Sequence, residues 1–198
     1  LTGENARLLD LIAREAARME RFVSELLSFS RGTPMKMQEI GIREMLERTI
    51  TKTRSHPTYR PSVSIHCRFD GEPARVEADP EQLEQVFFNL ALNALEAMGP
   101  VGSLSISVHT EASDKVQIEF ADTGIGMSRE TLDRVFEPFY STKESGTGLG
   151  LAIAHRIVER HQGRLEVMSH PGIGTRVRVS LPMAGAESSA AEHMEVAA

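Results

Sequence analysis

The stretch from Asp122 to Leu151 reads DTGIGMSRETLDRVFEPFYSTKESGTGLGL and carries two glycine clusters. The first is Gly124-x-Gly126 and the second is Gly146-x-Gly148-x-Gly150, with Phe136-Glu137-Pro138-Phe139 and a lone cation, Lys143, between them. Glycines grouped in this way allow positive φ angles and a close approach of backbone to a ligand. A phosphate-bearing ligand fits both properties, and a pair of ordinary loops is the alternative.

Composition limits the classes of function that are open to the chain. The 198 residues are 40% hydrophobic and 25% charged, which is typical of a globular protein with one large domain or one domain and an appendage. The net charge of −6 does not favour binding to nucleic acid or to an anionic membrane. The single cysteine, Cys67, excludes an internal disulfide and suits a reducing compartment, where its ordinary role is that of a small strand residue.

The N-terminal part predicts one long helix. Apolar residues recur there at alternating steps of four and three, interrupted at Glu15, which is the pattern of a helical bundle seam: Leu8, Ile12, Met19, Phe22, Leu26 and Phe29. A cationic last turn, a glycine and a proline end this helix at Arg31–Pro34. Because such a seam needs partner helices, we expect a truncated helical hairpin from a longer chain, with packing on the downstream domain alone as the alternative. No signal peptide and no membrane-spanning apolar run is apparent in the sequence.

The rest of the chain predicts an α+β two-layer sandwich. Amphipathic helices are expected at residues 40–54, from Pro80 to Met98 and from Gly148 to His161. Strands are expected at Val63–Phe69, Arg75–Ala78, Ser103–Thr110, Lys115–Ala121, Leu165–Ser169 and Thr175–Leu181. The first two strands are expected to pair across the Asp70-Gly71 turn. Since strands and helices do not alternate strictly, a mainly antiparallel mixed sheet of about five strands with about three helices is favoured. The predicted units are 1–33, 34–183 and a disordered tail at 184–198.

Two amides interrupt the apolar helix that starts at Pro80. Asn89 and Asn93 are four residues apart and therefore lie one turn above each other. They are either helix-packing amides with satisfied hydrogen bonds, or amides whose oxygens coordinate a hard cation such as Mg²⁺ beside ligand phosphates.

Asp122 stands at the end of a predicted strand, where a carboxylate can accept a hydrogen bond from the amino group of a base. The second glycine cluster opens a helix, and free N–H groups at a helix N-terminus bind phosphate oxygens. Lys143 adds a positive charge. The chain has no P-loop, no dinucleotide-binding GxGxxG, no GxSxG and no HExxH motif.

Four motifs in this order resemble the N box, the two glycine boxes and the F box of sensor histidine kinases, within the gyrase, chaperone, histidine kinase and MutL ATPase superfamily. They are Asn89-x-x-x-Asn93-Ala94, Asp122-x-Gly124-x-Gly126, Phe136-x-x-Phe139 and Gly146-Thr147-Gly148-Leu149-Gly150. The resemblance covers about residues 40–182 and is nearest to the nitrogen-regulation type. Leu26-Leu27-Ser28-Phe29-Ser30-Arg31 resembles the end of the dimerisation and histidine-phosphotransfer hairpin.

The resemblance implies a Bergerat-type ATP-binding fold, with ATP and Mg²⁺ as ligands. Asn93 would ligate Mg²⁺, Asn89 and Lys143 would act at the phosphates as catalytic groups, and Asp122 would hold the adenine amino group. Phe136 and Phe139 would hinge a lid between Met127 and Ser145. The remaining implied nucleotide contacts are Gly124, Gly126, Gly146, Thr147, Gly148, Leu149, Gly150 and, after the closing glycine turn, Thr175.

One departure from the family pattern bears on function. None of the seven histidines is followed by the acid and proline of a phosphoacceptor box, so the chain by itself is expected to bind ATP without autophosphorylating. The resemblance implies transfer of the γ-phosphoryl group to a histidine on another helix, and relay to a response regulator. It also implies a homodimer through the hairpin and a cytoplasmic location, with a membrane-anchored sensor as one option. Two alternatives are an ATP-hydrolysing domain of the gyrase or MutL type, against which Asn89 argues, and a dimerisation module with a vestigial site.

Overall fold

The computed structural model describes residues 34–71, 74–111, 114–143 and 146–185, together with Leu9, Ile12, Ala16 and Met19. These last four residues are helical and have exposed side chains. The remainder of the predicted long helix and of the predicted hairpin ending lies outside the described residues, as does the predicted tail beyond residue 185. Ala184, the first residue of that predicted tail, donates its N–H to the Arg75 carbonyl at 2.8 Å.

The strands are β1 (Gln38–Gly41), β2 (Val63–Asp70), β3 (Arg75–Ala78), β4 (Gly102–Glu111), β5 (Lys115–Asp122), β6 (Arg164–His170) and β7 (Gly174–Pro182). The helices are α1 (Ile42–Arg54), α2 (Pro80–Ala97), α3 (Arg129–Asp133) and α4 (Gly150–Arg160). The predicted α+β class is confirmed. The short helix α3, which Ser128 caps through its hydroxyl, was not expected from the sequence.

One mixed sheet of five strands forms a layer of the domain, in the order β2-β4-β5-β7-β6. Only β2 and β4 run parallel, and the other neighbours are antiparallel. The expected hairpin of β4 and β5 is confirmed, with Ile106 opposite Phe120. One face of the sheet carries the buried residues Leu104, Ile118 and Val179, which face the helices. The alternation of these strands therefore places their apolar side chains in a single core.

The expected pairing of β3 with β2 is wrong. β3 pairs antiparallel with β1, so that Val76 lies opposite Ile40 in a separate two-stranded sheet, while β2 pairs with β4. The parallel register sets Ile65 beside Leu104, and both are buried. Burial of apolar side chains, and not the shortness of the connecting turn, thus decides the pairing of β2.

The helix layer is centred on α2, which packs against α1 on one side and α4 on the other. The Asp79 carboxylate caps α2 by accepting the N–H groups of Glu81 and Gln82, both at 3.1 Å, as the sequence predicts. The buried face of α2 runs along the whole helix and comprises Leu83, Val86, Phe87, Leu90, Ala91, Ala94 and Leu95. α2 is therefore fixed against the sheet over its full length.

Asp79 also connects several elements. Besides capping α2, its carboxylate accepts the Lys36 N–H at 2.9 Å, and its own N–H donates to the buried His161 ring at 2.9 Å. Burial raises the pKa of the Asp79 carboxyl, but the hydrogen bonds from Lys36, Gln82 and Glu81 outweigh that effect and hold the pKa below its ordinary value. The start of α2 and residue 36 thus meet at the ionised carboxylate of Asp79, and the end of α4 is joined to the same residue through its backbone N–H. Among the described residues, no helix is long and apolar enough to cross a bilayer.

Candidate nucleotide-binding site

The two asparagines of α2 face the start of α4. The Asn89 side-chain amide donates to the Gly150 carbonyl at 3.4 Å. A methyl group added to Gly150 would lie 3.8 Å from the Asn93 Nδ2 atom and 4.0 Å from that of Asn89. Both side chains are half-buried. The helical spacing of four therefore brings both amides to the N-terminus of α4, and Gly150 leaves room in front of them.

Leu149, the N-cap residue of α4, provides no side-chain hydrogen bond to the first N–H groups of the helix. Leu149 precedes the helix, is fully buried, and donates its own N–H to the Thr147 hydroxyl at 3.3 Å. The first hydrogen bond within this turn runs from the Ile153 N–H to the Leu149 carbonyl. The N–H groups of the first turn thus point out of the helix beside the two asparagines, an arrangement that suits an anion.

The F-box segment is fastened to the second glycine cluster through the backbone. Phe139 and Gly148 both have positive φ, of 68° and 69°, and the Phe139 N–H donates to the Gly148 carbonyl at 3.0 Å. A side chain at Gly148 would collide with the backbone of Phe139 and Tyr140, so glycine is required there.

The two phenylalanines have different environments. Phe136 packs on the core and its ring lies 4.5 Å from that of His155 on α4, whereas the Phe139 side chain is 58% exposed. Phe136 therefore anchors this segment to α4, and Phe139 presents its ring to solvent.

Asp122 lies at the last position of β5 and is held by backbone donors. Its Oδ1 atom accepts the Gly124 N–H at 2.8 Å and the Thr175 N–H at 3.2 Å. Within the described residues, no donor is hydrogen-bonded to the Oδ2 atom, which remains able to accept a hydrogen bond from a ligand. Burial raises the pKa of the Asp122 carboxyl, and the two N–H groups and the charge of Lys143 oppose that rise.

The turn after Asp122 is packed between two other elements. The Ile125 N–H donates to the Ala97 carbonyl at the end of α2, at 3.0 Å, and the Ile125 carbonyl accepts the Gly172 N–H at 2.7 Å. Gly126 has a φ of 66°, and a side chain there would collide with the last carbonyl of β6. The first glycine cluster is thus a structural necessity of this turn, whatever ligand it faces.

Ser169 was missed by sequence reasoning. Its hydroxyl accepts the Met127 N–H at 2.9 Å and lies 2.9 Å from the Thr175 hydroxyl. It thereby joins the beginning of the segment after Gly126 to the strand that supplies Thr175. A serine inside a strand carries no sequence signal for this role.

Lys143 lies three residues before the second glycine cluster and forms an ion pair that the sequence did not reveal. Its Nζ atom is 2.5 Å from the Glu96 carboxylate, and its carbonyl accepts the Gly146 N–H at 3.1 Å. Glu96 is three residues after Asn93 on α2, so helical spacing was the available signal.

The predicted site residues form two groups. One group surrounds the start of α4 and comprises Asn89, Asn93, Lys143, Gly146, Gly148 and Gly150. The other group lies beside Ala97, the last residue of α2, and comprises Asp122, Gly124, Gly126 and Thr175.

The fold, together with the two groups of predicted site residues, is typical of one class of protein, the nucleotide-binding α+β sandwich. Residues 78–185 match the family model described as "Histidine kinase-, DNA gyrase B-, and HSP90-like ATPase". The chain belongs to this family. This confirms the ATP-binding catalytic domain that the four motifs predicted.

The relatives specify the branch of the family. Sensor histidine kinase ZraS of Klebsiella oxytoca is 38% identical over 185 residues, which are 92% of this chain and 39% of that protein. The catalytic domain of histidine kinase ThkA, in a nucleotide-free form, superimposes with a TM-score of 0.65 at 28% identity, over 75% of this chain and 96% of that chain. ThkA in complex with response regulator protein TrrA gives a TM-score of 0.74 at 25% identity, over 94% of this chain and 53% of that one.

These similarities confirm the predicted resemblance to sensor histidine kinases and favour it over the gyrase or MutL alternative. The nitrogen-regulation type stays a prediction. The chain spans about two-fifths of the length of the ZraS sequence that it matches.

Proposed function

We propose that this chain is the ATP-binding catalytic part of a two-component sensor kinase, which transfers the γ-phosphoryl group of ATP to a histidine on a helix outside the described domain. The observation that carries the proposal is the geometry of Asp122. Its carboxylate is fixed by two backbone N–H groups on one oxygen, and among the described residues its other oxygen is left to accept from a base. An amino group on adenine is the complementary donor.

At the phosphate end, the α4 N-terminus and Lys143 provide the positive potential. Backbone N–H groups at a helix start hold phosphate oxygens without any rearrangement of side chains. The proposed contacts are those that the family resemblance implies, namely Lys143, Thr147, Leu149 and the glycines 146, 148 and 150. They are supported by the contact of Gly150 with Asn89 and Asn93, by the pairing of Lys143 with Glu96 on the same helix, and by the hydrogen bond from Leu149 to Thr147.

The residues present fit a Mg²⁺ ion that is held mainly by the nucleotide phosphates and water, with few protein ligands. The described residues contain no group of three or more His, Cys, Asp or Glu side chains suited to a metal, so an all-protein cage is not available there. Mg²⁺ in nucleotide sites takes one or two protein oxygens and completes its shell with phosphates and water. The Asn93 carboxamide oxygen is the proposed ligand, and the ion would offset phosphate charge.

Phosphoryl transfer requires mainly positioning and charge neutralisation, and the described side chains offer these two effects. Asn89 orients the start of α4 through its hydrogen bond to Gly150. Its neutral amide cannot take a proton from water, so the site favours transfer to a histidine over hydrolysis.

The partners of the whole protein form part of the same proposal. The complex of ThkA with its response regulator supports a receiver domain as the next acceptor of the phosphoryl group. The exposed positions Leu9, Ile12 and Met19 lie on one helical stripe and support a homodimer through the helical hairpin. We place the full protein's kinase part in the cytoplasm, with or without a membrane anchor.

The test combines the chain with labelled ATP, Mg²⁺ and the phosphoacceptor hairpin of the full-length protein. We expect acid-labile label on the hairpin and none on the chain alone. An Asn93→Ala variant should lose the effect of Mg²⁺ on ATP affinity while keeping its affinity for adenosine. Steady release of phosphate without labelled histidine would instead establish a hydrolase.

A further inference from the structure

The Glu96–Lys143 ion pair places a carboxylate in direct competition with the proposed phosphate ligand. Asn89, Asn93 and Glu96 occupy positions i, i+4 and i+7 of α2. Glu96 therefore lies on the same face of α2 as the two asparagines, which faces the α4 N-terminus. Its carboxylate is 2.5 Å from the Lys143 ammonium, and the two side chains are 32% and 37% exposed. The pair spans 47 residues of sequence and joins the end of α2 to the second glycine cluster.

Lys143 is anchored at that cluster by its backbone. Its carbonyl accepts the Gly146 N–H, and a side chain at Gly146 would lie 3.3 Å from the Lys143 Cβ atom. The glycine cluster therefore fixes the backbone of Lys143, whereas Glu96 fixes the direction of the Lys143 side chain. Four rotatable bonds allow the ammonium to change partners while its backbone stays in place.

We propose that Glu96 is a counter-ion that competes with the nucleotide's terminal phosphates for Lys143, and thereby sets how strongly the site prefers ATP to adenosine. This inference rests on the proposed function. A triphosphate arriving at the start of α4 brings negative charge toward Glu96 and draws Lys143 away from it. Binding of the phosphates consequently includes the loss of the Glu96–Lys143 pair, whereas binding of adenosine leaves the pair intact.

The experiment measures ATP and adenosine affinities of the 198-residue chain by calorimetry, in low salt with Mg²⁺, for Glu96→Gln. We expect the Kd for ATP to fall about three- to fivefold, the size reached by partly exposed ion pairs, with the Kd for adenosine unchanged. Glu84→Gln is the matched control because Glu84 pairs with Lys52 at 2.8 Å elsewhere on the same helix. It should change neither affinity.

A Lys143→Met background separates competition from simple repulsion. There the Glu96→Gln change should have less than half of its effect on ATP affinity, because no ammonium is left to release. An equal effect in both backgrounds would overturn the proposal, as would weaker ATP binding in Glu96→Gln or no change. Failure of the unmodified chain to bind ATP would refute the proposed function itself, and the two failures are thus distinguishable.

Discussion

The Asp122→Asn substitution tests the proposed contact of Asp122 with adenine and should change the fold little. The new side chain can keep the two hydrogen bonds that hold the old one, because its amide oxygen can accept the Gly124 and Thr175 N–H groups as the Asp122 Oδ1 atom does. The second oxygen is replaced by an NH₂ group, which cannot accept a hydrogen bond. A base amino group would then face another donor.

The magnitude follows from the type of hydrogen bond that is lost. A hydrogen bond to a charged group contributes about 1.5–3 kcal/mol, which corresponds to roughly a tenfold to hundredfold change in Kd. The substitution also removes a charge whose burial raises the pKa of the carboxyl and thus disfavours the ionised form. We therefore expect unchanged or slightly higher thermal stability together with a much weaker affinity for ATP and for adenosine.

Calorimetric titration with adenosine and ATP measures both affinities, and thermal unfolding monitors the fold. Asp133→Asn is the matched control, because Asp133 is an exposed aspartate that pairs with Arg129 on α3. Retained affinity for adenosine in Asp122→Asn would refute the assignment of the adenine end.

The raised pKa of Asp122 gives the same site a pH dependence. In the proposed site the ionised carboxylate accepts a hydrogen bond from the base. Because its pKa is raised, the ionised form of Asp122 is lost at a higher pH than that of an ordinary aspartate. Adenosine affinity should therefore begin to fall, on acidification, before ordinary aspartates titrate, and Asp122→Asn should abolish this dependence. A pH profile that is the same in both proteins would contradict the role of the carboxylate.

Three further substitutions and one chemical modification address the fold. Gly126→Ala should lower the free energy of unfolding by more than about 2 kcal/mol in urea titrations, because it combines a positive φ with a collision with the last β6 carbonyl. Gly172→Ala, which has a φ of 75° but open space around it, should cost only about 1 kcal/mol, and equal losses would refute the collision. His161→Ala should cost about 1–3 kcal/mol by leaving the buried Asp79 N–H without its acceptor, so a loss below about 0.5 kcal/mol would contradict that role. The Cys67 thiol, whose pKa burial raises to about 11, should react with iodoacetamide at neutral pH on the order of a hundred times more slowly than in the unfolded chain, as followed by mass spectrometry.

Local patterns in the sequence were sufficient for much of this domain. Three features depend only on residues near one another in the chain. They are the Asp79-Pro80-Glu81 start of α2, the alternation of apolar residues in β4 and β5, and the helical spacing of Asn89 and Asn93. Backbone propensity, capping and periodicity act over such distances, so their outcome can be read directly. The order of the four motifs was also sufficient to identify the family.

Other features depended on contacts between distant residues. The packed core decides which surfaces come together, and four features follow from it. They are the pairing of β3 with β1, the parallel pairing of β2 with β4, the hydrogen bond from the Thr175 N–H to Asp122 across 53 residues, and the ion pair of Glu96 with Lys143. Helical spacing places Glu96 near Asn93, but it does not show which glutamate of α2 pairs with Lys143, since Glu96 and Glu84 are both partly exposed. The sequence by itself thus determined most of the elements, with β1 and α3 as the exceptions, and most of the chemical groups of the proposed nucleotide site. Only the tertiary structure decided which of those groups meet, because that depends on the burial of apolar faces over the whole sheet.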